Sequence, residues 1–180
     1  LAPSVQHWCG TDGLGRDVLH LLIAGSRITL LVAILSVAIG ALLGTSIGLY
    51  ASARGGAMEE VSNRTQDLLF AFPSLLLAML LSAALGPGVL PIVVAISVFN
   101  IPVFARISRA QALVLMHLDF VKAARLAGRS TAGIAFIHLL PNVTPVVAVQ
   151  GAIQVSLAVI AESGLAYLGL GVQPPTPSWG

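Results

Sequence analysis

The side chains able to do chemistry are few, and their positions argue against catalysis. His7, His20, His117 and His138 all lie outside the long apolar runs. A serine–histidine intramembrane hydrolase or a bis-histidine haem site needs imidazoles at membrane depth, so both are disfavoured. Cys9 is the only cysteine, which rules out an internal disulfide and any four-thiolate zinc or iron–sulfur site. Glu162, Ser163 and Gly164 have no base near them in sequence and read as a helix end. The only lysine, Lys122, follows no phosphate-cradling glycine loop, and no G-x-x-x-x-G-K-[ST] occurs. The expectation is no catalytic residue, no metal and no cofactor, with any ATP bound and hydrolysed by another subunit.

The polar residues within the apolar runs are Ser36, Thr45, Ser46, Ser74, Ser82, Ser97, Asn100, Gln150, Gln154 and Ser156. Gln150 and Gln154 are four apart and share a helix face. Such an amide face either lines a solute path, together with Asn100, or joins helices by side-chain hydrogen bonds.

The elements that hold these groups follow from composition. Of 180 residues, 57% are hydrophobic and 9% charged, whereas a soluble domain is about a quarter charged. Mean hydropathy is +0.95, and 18 Gly beside 10 Pro fit bundled membrane helices. Four runs, near residues 28–50, 68–85, 89–105 and 143–161, approach the ~20 residues that a bilayer core requires. Gly86, Pro87 and Gly88 make a tight turn between the second and third. Gly40, Gly44 and Gly48 clear one stripe of the first span, for packing within the bundle or for a subunit–dimer face. Pro73 and Pro102 each remove a helix hydrogen bond and can kink the axis of their spans.

Orientation follows from the loops. Segments 51–67 and 106–142 carry Arg54, Arg64, Arg106, Arg109, Lys122, Arg125 and Arg129, seven of nine basic residues. Arg16 and Arg27 sit on the other side beside Asp12 and Asp17. The positive-inside rule places the 106–142 loop in the cytoplasm and both ends outside. The net charge of +2 has no water-exposed basic face to serve, so nucleic-acid binding is not expected. Starting at Leu1 and ending in PPTPSWG, the chain reads as an excerpt, with at least one further span expected on each side.

The 106–142 loop is too charged to span and too patterned for a linker. Asp119 can cap a short helix over 120–127 that stops at Gly128. Ser130 or Thr131 can cap a second helix ending before Pro141. Ile134, Phe136, Ile137, Leu139 and Leu140 give the second helix an apolar side, opposed by Arg129, Ser130, Thr131 and His138. It either lies on lipid headgroups or docks a soluble partner.

The stretch DFVKAARLAG, with Pro141 in HLLPN thirteen residues after Gly128, resembles the EAA loop of ABC importer permeases. GTDGLGRDV, FAFPSLLLA and YLGLGVQPPTPSWG are similar, in order and spacing, to the dipeptide, oligopeptide and nickel branch of those permeases. The resemblance implies an all-α polytopic membrane bundle of the MetI-like fold, with four of six spans present. It also implies a bacterial or archaeal cytoplasmic membrane, a second homologous permease, two ATP-binding-cassette ATPase subunits and an extracytoplasmic solute-binding protein. The EAA loop would be the coupling helix, here Asp119, Phe120, Val121, Lys122, Ala123, Ala124, Arg125, Leu126, Ala127 and Gly128. Ala123, Ala124 and Gly128 match the family's residues, while Lys122 stands where it usually has Glu. The implied activity is import of peptides or similar small solutes by alternating access. Nickel import is the alternative within the branch, and a structural membrane protein the alternative outside it.

Overall fold

The computed structural model describes residues 2–5, 7–86, 88–172 and 176–179, without the side chains of Ser74, Leu75 and Ser82. The helices are α1 (Val18–Arg54), α2 (Gly56–Ala71), α3 (Ser74–Leu85), α4 (Val89–Met116), α5 (Asp119–Leu126), α6 (Thr131–Gly133) and α7 (Leu140–Tyr167), with a π-helical stretch, Ile134–Leu139, joining the last two. Among the described residues there is no strand beyond one isolated bridge, Thr11 to Asp17.

α1 starts where Asp17 accepts the backbone N–H groups of Leu19 and His20, satisfying two donors that a helix start leaves free. The His7 ring nitrogen lies 2.9 Å from the same carboxylate. That hydrogen bond, with those from His20 and Leu19, holds Asp17 below the usual carboxylate range. The helix begins well before the expected start of the first span and takes in Arg27.

The second expected span is not straight. α2 and α3 meet at 86°. Phe72 is extended (φ −86°, ψ 128°) and is followed by Pro73, which has no N–H and disfavours a helical residue before it. α3 has 12 residues, about 18 Å of helix against a core of about 30 Å. Among the described residues three helical runs are long and apolar enough to cross a membrane, or four if the bent pair counts as one. Gly86 and Gly88 both have positive φ, while Pro87 of the expected turn lies outside the described residues.

Proline has a different effect at position 102. There α4 continues unbroken, with Pro102 buried inside it, and it runs on through Arg106 and Arg109 to Met116. Arg109 pairs with Glu59 at 2.7 Å and Arg106 with Asp67 at 2.7 Å. The Arg106 guanidinium also sits 4.5 Å above the Phe70 ring, so α2 is fastened to α4.

The loop between α4 and α7 is shorter than its sequence suggests. Ser130 does cap, its Oγ accepting the Gly133 N–H, but the helix that starts there does not end before Pro141. It passes through the π stretch into α7 as one run, Thr131–Tyr167. Widening to a π turn just before Pro141 fits a residue that cannot donate to the preceding turn. Asn142 Nδ2 donates to the His138 carbonyl (2.7 Å) and Thr144 Oγ1 to that of Leu140 (2.8 Å). Glu162 to Gly164, expected at a helix end, lie inside α7.

The glycine stripe decides between its two readings. A Cβ at Gly40 would strike Asn100, one at Gly44 the Ile101 carbonyl and Phe104, and one at Gly48 the Ala105 carbonyl. The stripe is the close seam between α1 and α4 of the same chain, not a face for another subunit. Two apolar clusters flank the seam: one holds Val32, Val37, Ile92, Ile96, Phe104 and Leu165, and the other Leu49, Ala53, Ala112, Val121, Leu139 and Val143.

Candidate coupling segment and polar cavity

α5 lies at one end of the bundle. Leu118, not Asp119, occupies its N-cap and offers no side-chain bond. The Asp119 carboxylate instead accepts from Lys122 Nζ at 3.0 Å, one turn along. Leu118 fills the cap because its extended backbone (φ −78°, ψ 149°) turns the chain out of α4.

Two small apolar residues on one face, Val121 and Ala124, are buried and hold α5 to the bundle. Val121 joins the cluster of Leu49, Leu139 and Val143. Arg125 Nη2 donates to the Ala53 carbonyl at 3.3 Å, tying α5 to the end of α1. The opposite face is open: Leu126 is 91% exposed and Phe120 40%. Lys122, Ala123, Ala127 and Gly128 are exposed as well.

Gly128 has φ +76°. Its N–H bonds the Arg125 carbonyl and the Arg129 N–H bonds that of Ala124. This is the paired closure of a Schellman motif, with Gly128 at the left-handed position. A helix that stops at Gly128 calls for a left-handed glycine there, and the backbone is left-handed at that residue. Beneath α5, His138 stacks obliquely on Phe120 with ring centroids 6.5 Å apart. His138 Nε2 is buried without a hydrogen-bond partner.

A cavity of about 450 Å³ opens between α3, α4 and α7, lined by Ala78, Phe99, Asn100, Gln154, Leu157 and Ala161 among others. Asn100 and Gln154 are thus brought together, whereas Gln150, a turn away and half-buried, is not among the lining residues. Asn100 Nδ2 donates to the Ile96 carbonyl at 2.8 Å, leaving its Oδ1 and the nearby Ser97 Oγ unpartnered. The wall is apolar with a few aimed hydrogen-bonding groups, the usual make-up of a small-solute site.

Sequence reasoning missed Glu162 and Thr29. Both are wholly buried, and Thr29 Oγ1 donates to Glu162 Oε2 at 3.1 Å. The signal was the 154, 158, 162 spacing, which sets Glu162 on the helix face of Gln154. A fourth span that ends at residue 161 leaves Glu162 just outside it.

Lys122→Glu would exchange an exposed pair with Asp119, whose carboxylate is almost fully solvated, for a like-charge pair. Exposed pairs are worth under about 1 kcal/mol. The variant is therefore expected to melt within about 1 kcal/mol of wild-type stability.

Residues 40–180 match the family described as binding-protein-dependent transport system inner membrane component. The chain is 40% identical over 178 residues to the glutathione transport system permease protein GsiD of Pectobacterium atrosepticum. It is 41% identical over the same length to that of Escherichia coli O1:K1 and 40% to that of Shigella boydii serotype 4. Each alignment covers 99% of this chain and 59% of the relative, so the chain spans about three-fifths of the length of the curated relatives it matches.

Proposed function

This chain belongs to the family of binding-protein-dependent transport system inner membrane components, and on that footing we propose that it is the permease part of an ABC importer for peptide-like solutes. Glutathione, which the relatives' names specify, is a tripeptide-like solute of the proposed class. The observation that carries the reading is α5 with Gly128: a short helix set outside the spans, seated by Val121 and Ala124, with an unpartnered apolar face.

In this reading the open face of α5, around Phe120, Ala123 and Leu126, seats in a separate ATPase subunit. The chain binds no nucleotide itself. Motion of the docked α5 passes to α1 through Arg125 and Ala53. It passes to α7 through the cluster shared by Val121, Leu139 and Val143. A packed cluster of this kind moves as a body, so α7 tilts with α5 and access alternates between the two membrane faces. Asn100 and Gln154 offer hydrogen bonds to the amide groups of the solute on its way. A second permease, a second ATPase subunit and an external solute-binding protein complete the assembly, and α5 and residue 129 face the cytoplasm.

The test uses the full-length permease together with any ATPase, binding-protein and second-permease subunits found encoded beside it. The expected result is co-purification of the ATPase and ATP-dependent uptake of labelled glutathione or dialanine into proteoliposomes. An Arg129→Cys variant in a Cys9→Ser background is expected to resist an impermeant thiol reagent in intact cells and to react in inverted vesicles. Labelling in intact cells reverses the orientation. Absence of any ATPase partner removes the importer reading.

A further inference from the structure

We propose that Thr29, Glu162 and the 176–179 segment form a clasp that closes the end of the bundle remote from α5 and opens in each transport cycle. What the clasp gates rests on the transport reading above; its parts are seen directly. The Thr29 hydroxyl accepts the Trp179 backbone N–H at 3.1 Å and donates to Glu162 Oε2 at 3.1 Å. Trp179 Nε1 donates to the Leu22 carbonyl at 3.0 Å. Gly25 lets the strap lie close, since a Cβ there would be 3.1 Å from the carbonyl carbon of Ser178. The start of the chain and two segments near its end therefore meet at one hydroxyl.

The joint is weak by construction. Glu162 is wholly buried, yet its Oε1 has no partner. A carboxyl satisfied on one oxygen holds two helices less firmly than an apolar contact of the same size, because the free oxygen carries an uncompensated desolvation cost. A shift of about half an ångström takes a 3.1 Å contact out of hydrogen-bond range. Permanent packing does not call for such a residue; a contact that must release does.

The clasp also lies where motion at α5 is delivered. α1 has 37 residues and links the clasp to the Ala53 carbonyl held by Arg125. The run Thr131–Tyr167 links Glu162 to the cluster under α5. α1 is locked to α4 through the glycine seam. Within this chain the α7 run is the least covered of the three, with 17% of its apolar window buried against 44% for α1 and 56% for α4. Tilting α7 about its inner end therefore moves Glu162 away from Thr29.

The experiment compares variants in the complete transporter reconstituted in liposomes, with glutathione and dialanine as the solutes. Thr29→Val keeps the shape and removes the hydroxyl. Loss of ordinary hydrogen bonds from the resting state is expected to raise solute-free ATP hydrolysis about threefold or more and to lower solute moved per ATP by a similar factor. Thr29→Ser, which restores the hydroxyl, returns both values toward wild type. A lower melting temperature with both values unchanged makes Thr29 a static packing residue and overturns the clasp. Trp179→Phe removes only the half-exposed indole bond and serves if Thr29→Val does not assemble. It is expected to raise solute-free hydrolysis about twofold, and an unchanged rate is a second refutation. If wild type moves neither solute, the peptide reading fails while solute-free hydrolysis still decides the clasp.

Discussion

Gly44→Leu is expected to yield no monodisperse protein after detergent extraction, and Gly44→Ala a protein that melts measurably lower. At this position the helices approach so closely that a single Cβ would meet the Ile101 carbonyl oxygen, with Phe104 beside it. The first atom struck is backbone, which cannot rotate away, so α1 must move off α4. Inserting one methyl into such a seam costs about 1–3 kcal/mol, and three further carbons more. Separation also removes the van der Waals contact that drives helix association where water provides no hydrophobic force. The side effects reach further, because Thr45 Oγ1 accepts from Ser108 Oγ across the same seam at 3.2 Å. Gly151→Ala is the control: an added Cβ there meets nothing within 4 Å, and alanine is the better helix former by up to about 1 kcal/mol. Size-exclusion profiles and thermal melting of the three variants check this, and a wild-type profile for Gly44→Leu would show that α1 and α4 are not in close contact.

Much of this architecture can be read from one-dimensional pattern, and the failures share a cause. The glycines at 40, 44 and 48 announced a close seam because a four-residue spacing keeps them on one face, although which helix lies opposite is a tertiary fact. The same holds for Asn100 and Gln154: their types fit a solute path, but only folding brings α4 against α7 and leaves Gln150 to one side. Proline has three different outcomes in this chain. Pro73 breaks its helix where Phe72 turns extended, Pro102 is absorbed in α4, and Pro141 is carried by a π turn and two side-chain bonds to nearby carbonyls. Each outcome depends on whether neighbouring groups satisfy the freed carbonyl, which is not visible in a hydropathy window. The loop was drawn too long for a related reason, since Arg106 and Arg109 look like loop charges until Glu59 and Asp67 are placed beside them. Glu162 was overlooked because a lone carboxylate at a span boundary resembles a helix end, and its meaning comes from Thr29, 133 residues away.

On the coupling role proposed for α5, Gly128→Val is expected to leave the protein inserted while abolishing solute-stimulated ATP hydrolysis and uptake. Valine at φ +76° brings its branched side chain against its own backbone. Left-handed strain of this kind costs about 1–3 kcal/mol at a non-glycine residue, enough to undo an eight-residue helix held by two buried side chains. Loss of the Schellman closure frees the Arg125 and Ala124 carbonyls, and with them the register of the Arg125 contact to Ala53. Gly128→Asn separates the two causes by which a side chain at this position could do harm. Asparagine enters the left-handed region far more readily than valine, and within the chain a Cβ at 128 meets nothing within 4 Å. If backbone conformation alone fixes glycine here, Gly128→Asn keeps most of the stimulated hydrolysis and Gly128→Val loses it. If Gly128→Asn retains the α5 contacts, seen as protease resistance after Arg125 and Arg129, yet loses ATPase co-purification, a partner backbone lies against the glycine itself. Wild-type stimulation and uptake by Gly128→Val would remove α5 from the coupling path, since a helix that can lose its C-terminal closure without consequence transmits no force.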